Sequence, residues 1–307
     1  MKIISSESKI AQFYSQYPFP NVPLKRKSDI YQTLIYRLIY GLTRKYLDKY
    51  KKVKILDVGC GTGETDLGLA NGKRNILAID NNIKSIQIAK QRAKKFNKKI
   101  QFKQYDFVKN SLPKNHYDFI YSIGVLHHTS EPEENFKRLV QSLKVGGYIT
   151  IGIYNPYGSF KVRLKRGILK LLAGDDFEKK IEIYRKLFYR RPLTLQEKVA
   201  VADAFANPYR RYYTFEQLLG WFEKNNIGYL DSVPPIELSK NLKIIREVIK
   251  KIISRKRITL MDIWQKVTYE NSSKKWERAK LLTTLTQLSW VPIGRGELIN
   301  MVGRKIS

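Results

Sequence analysis

"KILDVGCGTGE", Lys54 to Glu64, sets three glycines in alternation behind an aspartate, directly after a run of branched apolar residues. The run "VKILDVG" (53–59) reads as a buried strand, and Gly59, Gly61 and Gly63 read as the turn that follows it. Glycine takes positive φ freely and lets another group come close to the backbone, which a side chain would prevent. The spacing Asp57-x-Gly59-x-Gly61-x-Gly63 differs from the G-x-G-x-x-G of nicotinamide and flavin sites. An aspartate ahead of the loop would repel a pyrophosphate, so the ligand expected here carries a cation on that side.

Outward from this turn, "NILAID" (75–80), "IQFKQYDF" (100–107), "YDFIYSIG" (117–124) and "GYITIGIYN" (147–155) are short runs rich in Ile, Val, Tyr and Phe that read as strands. Between them lie helical stretches, Glu64 to Ala70, Ile83 to Phe96 and Glu133 to Leu143, the last entered through "SEPEE". A further amphipathic helix is expected from Ser28 to Tyr50, with Ile30, Leu34, Ile35, Leu38, Ile39 and Leu42 at helical spacing. Strands alternating with helices predict an α/β fold with a doubly wound, mostly parallel sheet. Ligands of such sheets sit beyond the carboxyl ends of the strands.

With these motifs in order, the chain resembles the class I S-adenosylmethionine-dependent methyltransferases. "ILDVGCGTGE" is similar to that family's glycine motif, "NILAID" to the strand that ends in its ribose-binding acid, and "YDF" (105–107) to its adenine-side element. "YDFIYSIGVLHHTSEP" followed by "LKVGGYITIGIYN" is similar to its fourth strand, helix and fifth strand, with Val145 where proline is common. The resemblance covers about residues 50–155 and implies a Rossmann-like fold of seven strands, with S-adenosylmethionine as methyl donor. It implies that Asp57, Gly59, Gly61 and Gly63 form the cofactor loop, that Asp80 holds the ribose hydroxyls and that Asp106 reads the adenine amine. Asn81 departs from the apolar residue usual after the acid, and Ile83 and Phe107 are the substitutes for packing on adenine. Carboxylates suit a diol and an amine, and the backbone N–H groups opening the Glu64 helix suit polar or anionic atoms.

Methyl transfer needs a general base only where the acceptor must lose a proton. His127 and His128, after the fourth strand, are the catalytic candidates by position; the competing reading makes "LHH" a structural turn, one ring packed and one bonded to backbone. Carbon-5 methylation of pyrimidines is disfavoured because the one thiol, Cys60, lies in the glycine loop. The Asn/Asp-Pro-Pro-Tyr/Phe element of many adenine and glutamine N-methyltransferases is missing from the fourth strand, where "GVLHH" stands, and "YNPYG" (154–158) lacks the second proline.

The 307 residues hold 58 Lys and Arg against 27 Asp and Glu, a formal +31. The excess is spread, with 27 basic and 12 acidic groups in residues 1–150 and 31 and 15 in the rest. Attraction to RNA or an anionic membrane follows, or a generic lysine-rich surface. A single cysteine excludes an internal disulfide, and three histidines without cysteine partners imply no metal. No apolar span or signal-type leader is evident, which places the protein in the cytoplasm or peripherally at a membrane surface.

The expected organisation is an N-terminal aromatic and helical leader (1–50) containing "FYSQYPFPNVP", the cofactor-binding core (51–155), a helical insertion acting as a lid (156–211), a core helix and strand (212–235), a second helical insertion (236–292) and a final strand (293–307). Two stretches, "KVRLKRGILKLLAG" (161–174) and "KNLKIIREVIKKIISRKR" (240–257), are basic and amphipathic, fit for a packed lid face or an anionic membrane. "PYRRYYTF" (208–215) mixes arginines with aromatics that stack bases, hold an acidic group or pack as a hinge. The expected activity is methyl transfer to a small-molecule or lipid- or quinone-like acceptor. The alternatives are an RNA methyltransferase and a scaffold that binds cofactor without catalysis.

Overall fold

A computed structural model describes residues 13–207, 210–236, 246, 280–293 and 297–307. Apart from Arg246, the basic stretch 240–257 lies outside the described residues, as does most of the expected second insertion.

Seven strands form one sheet: β1 (Val53–Val58), β2 (Arg74–Asp80), β3 (Gln101–Gln104), β4 (Tyr117–Ile123), β5 (Leu143–Tyr154), β6 (Ile227–Val233) and β7 (Leu298–Lys305). Their order across the sheet is β3-β2-β1-β4-β5-β7-β6. β7 runs antiparallel to both β5 and β6, while the pairs from β3 to β5 are parallel. This is the Rossmann-like α/β architecture the alternation predicts. The chain reverses between β1 and β4, so the turn after β1 opens where the two halves of the sheet diverge.

Alternation along β1 builds a core on each face. Val53 and Ile55 pack with Ile30 of α1 (Lys27–Gln32), Ile39 of α2 (Leu34–Leu47), Leu67 of α3 (Glu64–Leu69) and Ile86 of α4 (Ile83–Lys95). Leu56 and Val58 point the other way, toward Phe136 of α5 (Pro132–Ser142). Each such side chain withdrawn from water contributes roughly 1.5–3 kcal/mol. The helix expected over 28–50 is two helices. Thr33 takes φ −60°, ψ 135° and its hydroxyl donates to Ile30 O at 2.9 Å, ending α1 and starting α2. β3 is shorter than expected because, beyond Tyr105, Asp106 accepts the amide of Val108 at 3.0 Å and closes a turn. β5 starts earlier, its first residues joining β4 through a register shift between Tyr117 and Phe119.

Between β5 and α9 (Phe215–Lys224), the helices α6 (Phe160–Ala173), α7 (Phe177–Tyr184) and α8 (Leu195–Val201) gather a separate apolar cluster of Leu169, Ile181, Tyr184, Val199 and Phe205. Phe13 and Tyr17 complete that cluster, so the start of the N-terminal segment packs on these helices. Two short helices, α10 (Lys280–Leu288) and α11 (Trp290–Ile293), precede β7. Trp290 is fully buried in the core beside α9.

Candidate active site

Gly59, Gly61 and Gly63 take φ of +72°, +54° and +81°. The space around them is used by the protein itself. A Cβ on Gly59 would strike Val125 beyond β4, one on Gly61 the carbonyl oxygen of Phe19, and one on Gly63 Ala89 and Phe102. Gly124, also at positive φ, has open space where its Cβ would be. The bare backbone thus serves close packing with the N-terminal segment as well as access, and the open wall is at the end of β4.

That segment crosses the loop. The amide of Asn21 donates to Thr62 Oγ1 at 3.0 Å and that of Val22 to Glu64 Oε1 at 3.1 Å. Arg92 donates to Glu64 Oε1 at 2.7 Å, Thr62 O at 2.9 Å and Val22 O at 2.7 Å. Glu64 is buried within this network, its carboxylate held by Val22, Thr62 and Arg92.

Three other carboxylates surround the loop, and among the described residues none of them pairs with lysine or arginine. Asp80 Oδ2 accepts the Gly61 amide at 2.9 Å and Oδ1 the Asn82 amide at 2.8 Å. Burial raises its pKa, against the pull of those two bonds. Asp57 lies beside Asp66 of α3, whose two oxygens are fully buried and meet no donor among the described residues. Burial, reinforced by the charge of Asp80, pushes Asp57 up to about 7. Burial and the charge of Asp57 push Asp66 well above the usual carboxylate range. Two carboxyls so placed retain a proton near neutral pH. Burial, then these carboxylates, raises the Cys60 thiol, which is no nucleophile in this state.

Asp106 follows β3 beside the end of β2, where Tyr105 donates its amide to Asp80 O at 2.9 Å. Its Oδ1 caps the local turn and its Oδ2 lies 3.7 Å from Lys109 Nζ. Phe107 is buried with Val58, Ile79 and Leu126, whereas Ile83 is 44% exposed.

His127 and His128 lie in the short 3-10 turn Leu126–His128, continuing from Val125 against the glycine loop. Both rings are buried, 4.2 Å apart. Among the described residues neither ring nitrogen of His127 has a partner, and burial, followed by His128 and Arg210, lowers its pKa well below the usual value. The ring of Tyr154, at the end of β5, stands 4.1 Å from it. His128 Nε2 lies 3.3 Å from the hydroxyl of Tyr14. That hydroxyl donates to Asp203 Oδ1 at 2.8 Å, and Tyr154 donates to Asp203 Oδ2 at 3.2 Å. Asn207 Nδ2 donates to Tyr14 at 3.1 Å. Arg210 stacks on Tyr154 at 3.4 Å and pairs with Glu297. Burial and the charge of Asp203 hold both tyrosine hydroxyls protonated far into the alkaline range.

Asp66, Tyr14, Tyr154 and Asp203 carry no expected site role, whereas Arg210 belongs to "PYRRYYTF", where an arginine holding an acidic group is one expected reading. Asp203 carries a visible signal, being the one charge in "VAVADAFA" (199–206). Among the described residues no cluster of His, Cys, Asp or Glu could hold a metal ion.

Residues 56–151 match the family described as a methyltransferase domain. The chain is 25% identical to an uncharacterised protein of Synechococcus over 83% of its own length and 68% of the other. It is 31% identical to phosphoethanolamine N-methyltransferase 3 of Arabidopsis thaliana over 39% of its length, spanning about a quarter, 26%, of that enzyme. PKMT2 of Rickettsia typhi has a similar fold, with a TM-score of 0.57 at 12% identity, covering 92% of this chain and 54% of that one. Sheet order, glycine loop, the acid ending β2 and the match over 56–151 agree on one conclusion: the chain carries a methyltransferase domain on a Rossmann-like fold.

Proposed function

We propose that this protein transfers a methyl group from S-adenosylmethionine to a small-molecule or lipid-like acceptor held between the end of β4, the N-terminal segment and helices α6–α8. The observation that carries the reading is the set of uncompensated carboxylates, Asp57, Asp66 and Asp80, around one glycine loop. Buried negative charge without a partner is costly, and a cationic ligand bearing hydroxyl donors relieves it. When bound, the cofactor supplies an activated methyl on a sulfonium, an ammonium and a ribose diol.

Asp80, oriented by two amides, keeps lone pairs for the diol. Asp57, with Asp66 behind it, faces the ammonium. Asp106 and Phe107 bound the adenine side. The acceptor lies against Tyr14, His127, His128, Tyr154 and Asp203, with the segment 13–23 and α6–α8 as its lid. His127 stays neutral at pH 7, so one ring nitrogen accepts a hydrogen bond from the acceptor. His128, facing Tyr14 and through it Asp203, takes a proton where the acceptor must lose one. The chain otherwise acts by positioning, which supplies roughly 7–11 kcal/mol of such a barrier. The phosphoethanolamine enzyme among the relatives takes a small-molecule acceptor, in keeping with this reading.

Calorimetric titration with S-adenosylmethionine tests the cofactor half: micromolar binding is expected, with Asp80→Ala abolishing it. Labelled donor fed with separated aqueous, lipid and RNA extracts tests the acceptor half. Label in a small-molecule or lipid product, lost in Asp203→Asn, supports the proposal. Label in RNA makes the protein an RNA methyltransferase, and cofactor binding without any product makes it a scaffold.

A further inference from the structure

Helix α6 is apolar on two faces, one packed inward and one exposed. Its inner face sends Leu169, 1% exposed, and Ala173 into the cluster shared with Phe13 and Tyr17. Its outer face shows Phe160, Leu164, Ile168, Leu171 and Leu172, with Leu171 87% and Leu164 59% exposed. These positions recur at i, i+4, i+8, i+11 and i+12, a stripe about 120° wide at 100° per residue, its centre turned about 120° from Leu169. Packing within the fold requires only the inner face. Phe188, 45% exposed, lies alongside, its ring 4.2 Å from Lys165 Nζ.

The charge around the stripe is of one sign. The fourteen residues hold Lys161, Arg163, Lys165, Arg166 and Lys170 and no acid. Arg166 turns inward to the carbonyls of Ala204 and Asn207, while Lys161 lies within the stripe and Arg163, Lys165 and Lys170 flank it. A wide aliphatic face edged by cations fits the boundary between acyl chains and anionic headgroups, where long basic side chains reach outward as the stripe sinks. Leucines offer nucleic-acid bases nothing to stack on, so RNA would use the cations and leave the stripe idle.

We propose that α6 docks the protein on an anionic lipid bilayer, with Phe160, Leu164, Ile168, Leu171 and Leu172 inserted and the bordering lysines and arginine at the headgroups. The inference goes beyond the methyl-transfer reading and stands without it. Arg166 joins the docked helix to the carbonyls on either side of Phe205 and close to Asp203, so the acceptor cluster would stand just behind the lipid surface.

The test is sedimentation of the full chain with vesicles of phosphatidylcholine alone or with roughly a third phosphatidylglycerol, where binding to the anionic vesicles should be at least about tenfold tighter. Leu164→Glu with Leu171→Glu, both at exposed positions, should weaken that binding at least about tenfold. Val145→Glu, exposed at the opposite end of the sheet, should leave it unchanged. Circular dichroism and cofactor titration of each variant check that the fold and the methyl-donor site are intact, which separates failure here from failure of the enzymatic reading. Equal binding to both vesicles, anionic binding indifferent to the two glutamates, or no binding overturns the proposal. So does a dimer that the glutamates dissociate, which would show a second copy on this face, or an RNA complex that they weaken.

Discussion

Asp57 and Asp66 set two carboxyls side by side under the glycine loop with no cation between them. In the folded protein Asp57 keeps its proton up to about 7, while in the unfolded chain an aspartate releases it near pH 4. Over that window the native state binds more protons than the unfolded state, so stability falls as pH rises from about 4 to about 7. Asp66→Asn removes a buried carboxyl whose proton uptake on folding costs stability at high pH, and keeps a donor to Asp57. The variant should be more stable than the parent at pH 8 by about 1–2 kcal/mol, or about 2–4 °C in melting temperature, and should show a flatter pH dependence. Thermal melts of both proteins from pH 5 to 8 without cofactor check this. An unchanged slope would mean that Asp57 is already ionised at pH 5.

At the scale of elements, the turn between β1 and α3 is held by two requirements, positive φ and lack of space, which separate at different glycines. Gly61 meets both, with the Phe19 carbonyl where its Cβ would go, and Gly124 meets only the first. Gly61→Ala should therefore cost about 2–4 kcal/mol and Gly124→Ala about 1, in urea unfolding. Equal costs would place Phe19 away from the loop in solution. The glycine spacing made this turn legible in the sequence, and with it Asp57 and Asp80, because local geometry sets their positions. The strands were legible from branched and aromatic runs. Their ends were less so: Thr33 breaks a helix whose apolar period runs straight through it, and Asp106 ends β3 by a side-chain bond that competes with strand pairing. The acceptor cluster was largely illegible. Tyr14 and Asp203 meet across 189 residues, and nothing in either local pattern names the other. His127 and His128 were placed at the mouth of the site by order along the chain, but their burial, and the tyrosine facing His128, are products of tertiary packing.

For the molecule as a whole, the N-terminal segment is the part that joins the sheet to the helices over it. Phe13 and Tyr17 belong to the cluster of α6–α8, and Tyr17 donates to Glu178 of α7. A few residues on, Asn21 and Val22 are fastened to the glycine loop, and Arg92 of α4 is the fastener: it binds Thr62 and Glu64 on the loop side and Asn21 and Val22 on the segment side. Its guanidinium is mostly buried and Glu64 almost wholly so. Removing one partner of a buried pair costs about 3–5 kcal/mol, because the other is left uncompensated. The cost falls at a junction, not within either core, and Arg92→Ala should release the segment while the sheet stays folded. Hydrogen exchange should speed up by about 100-fold or more at the amides of Asn21 and Val22, which donate to Thr62 and Glu64, and rise in α6–α8, which lose Phe13 and Tyr17 as fixed neighbours. Amides of β1 and β4 should exchange as before. Acceleration spread evenly over β1, β4 and the helices would show that Arg92 supports the whole fold, and no acceleration at Asn21 and Val22 would show that the segment is held by its aromatic anchors alone.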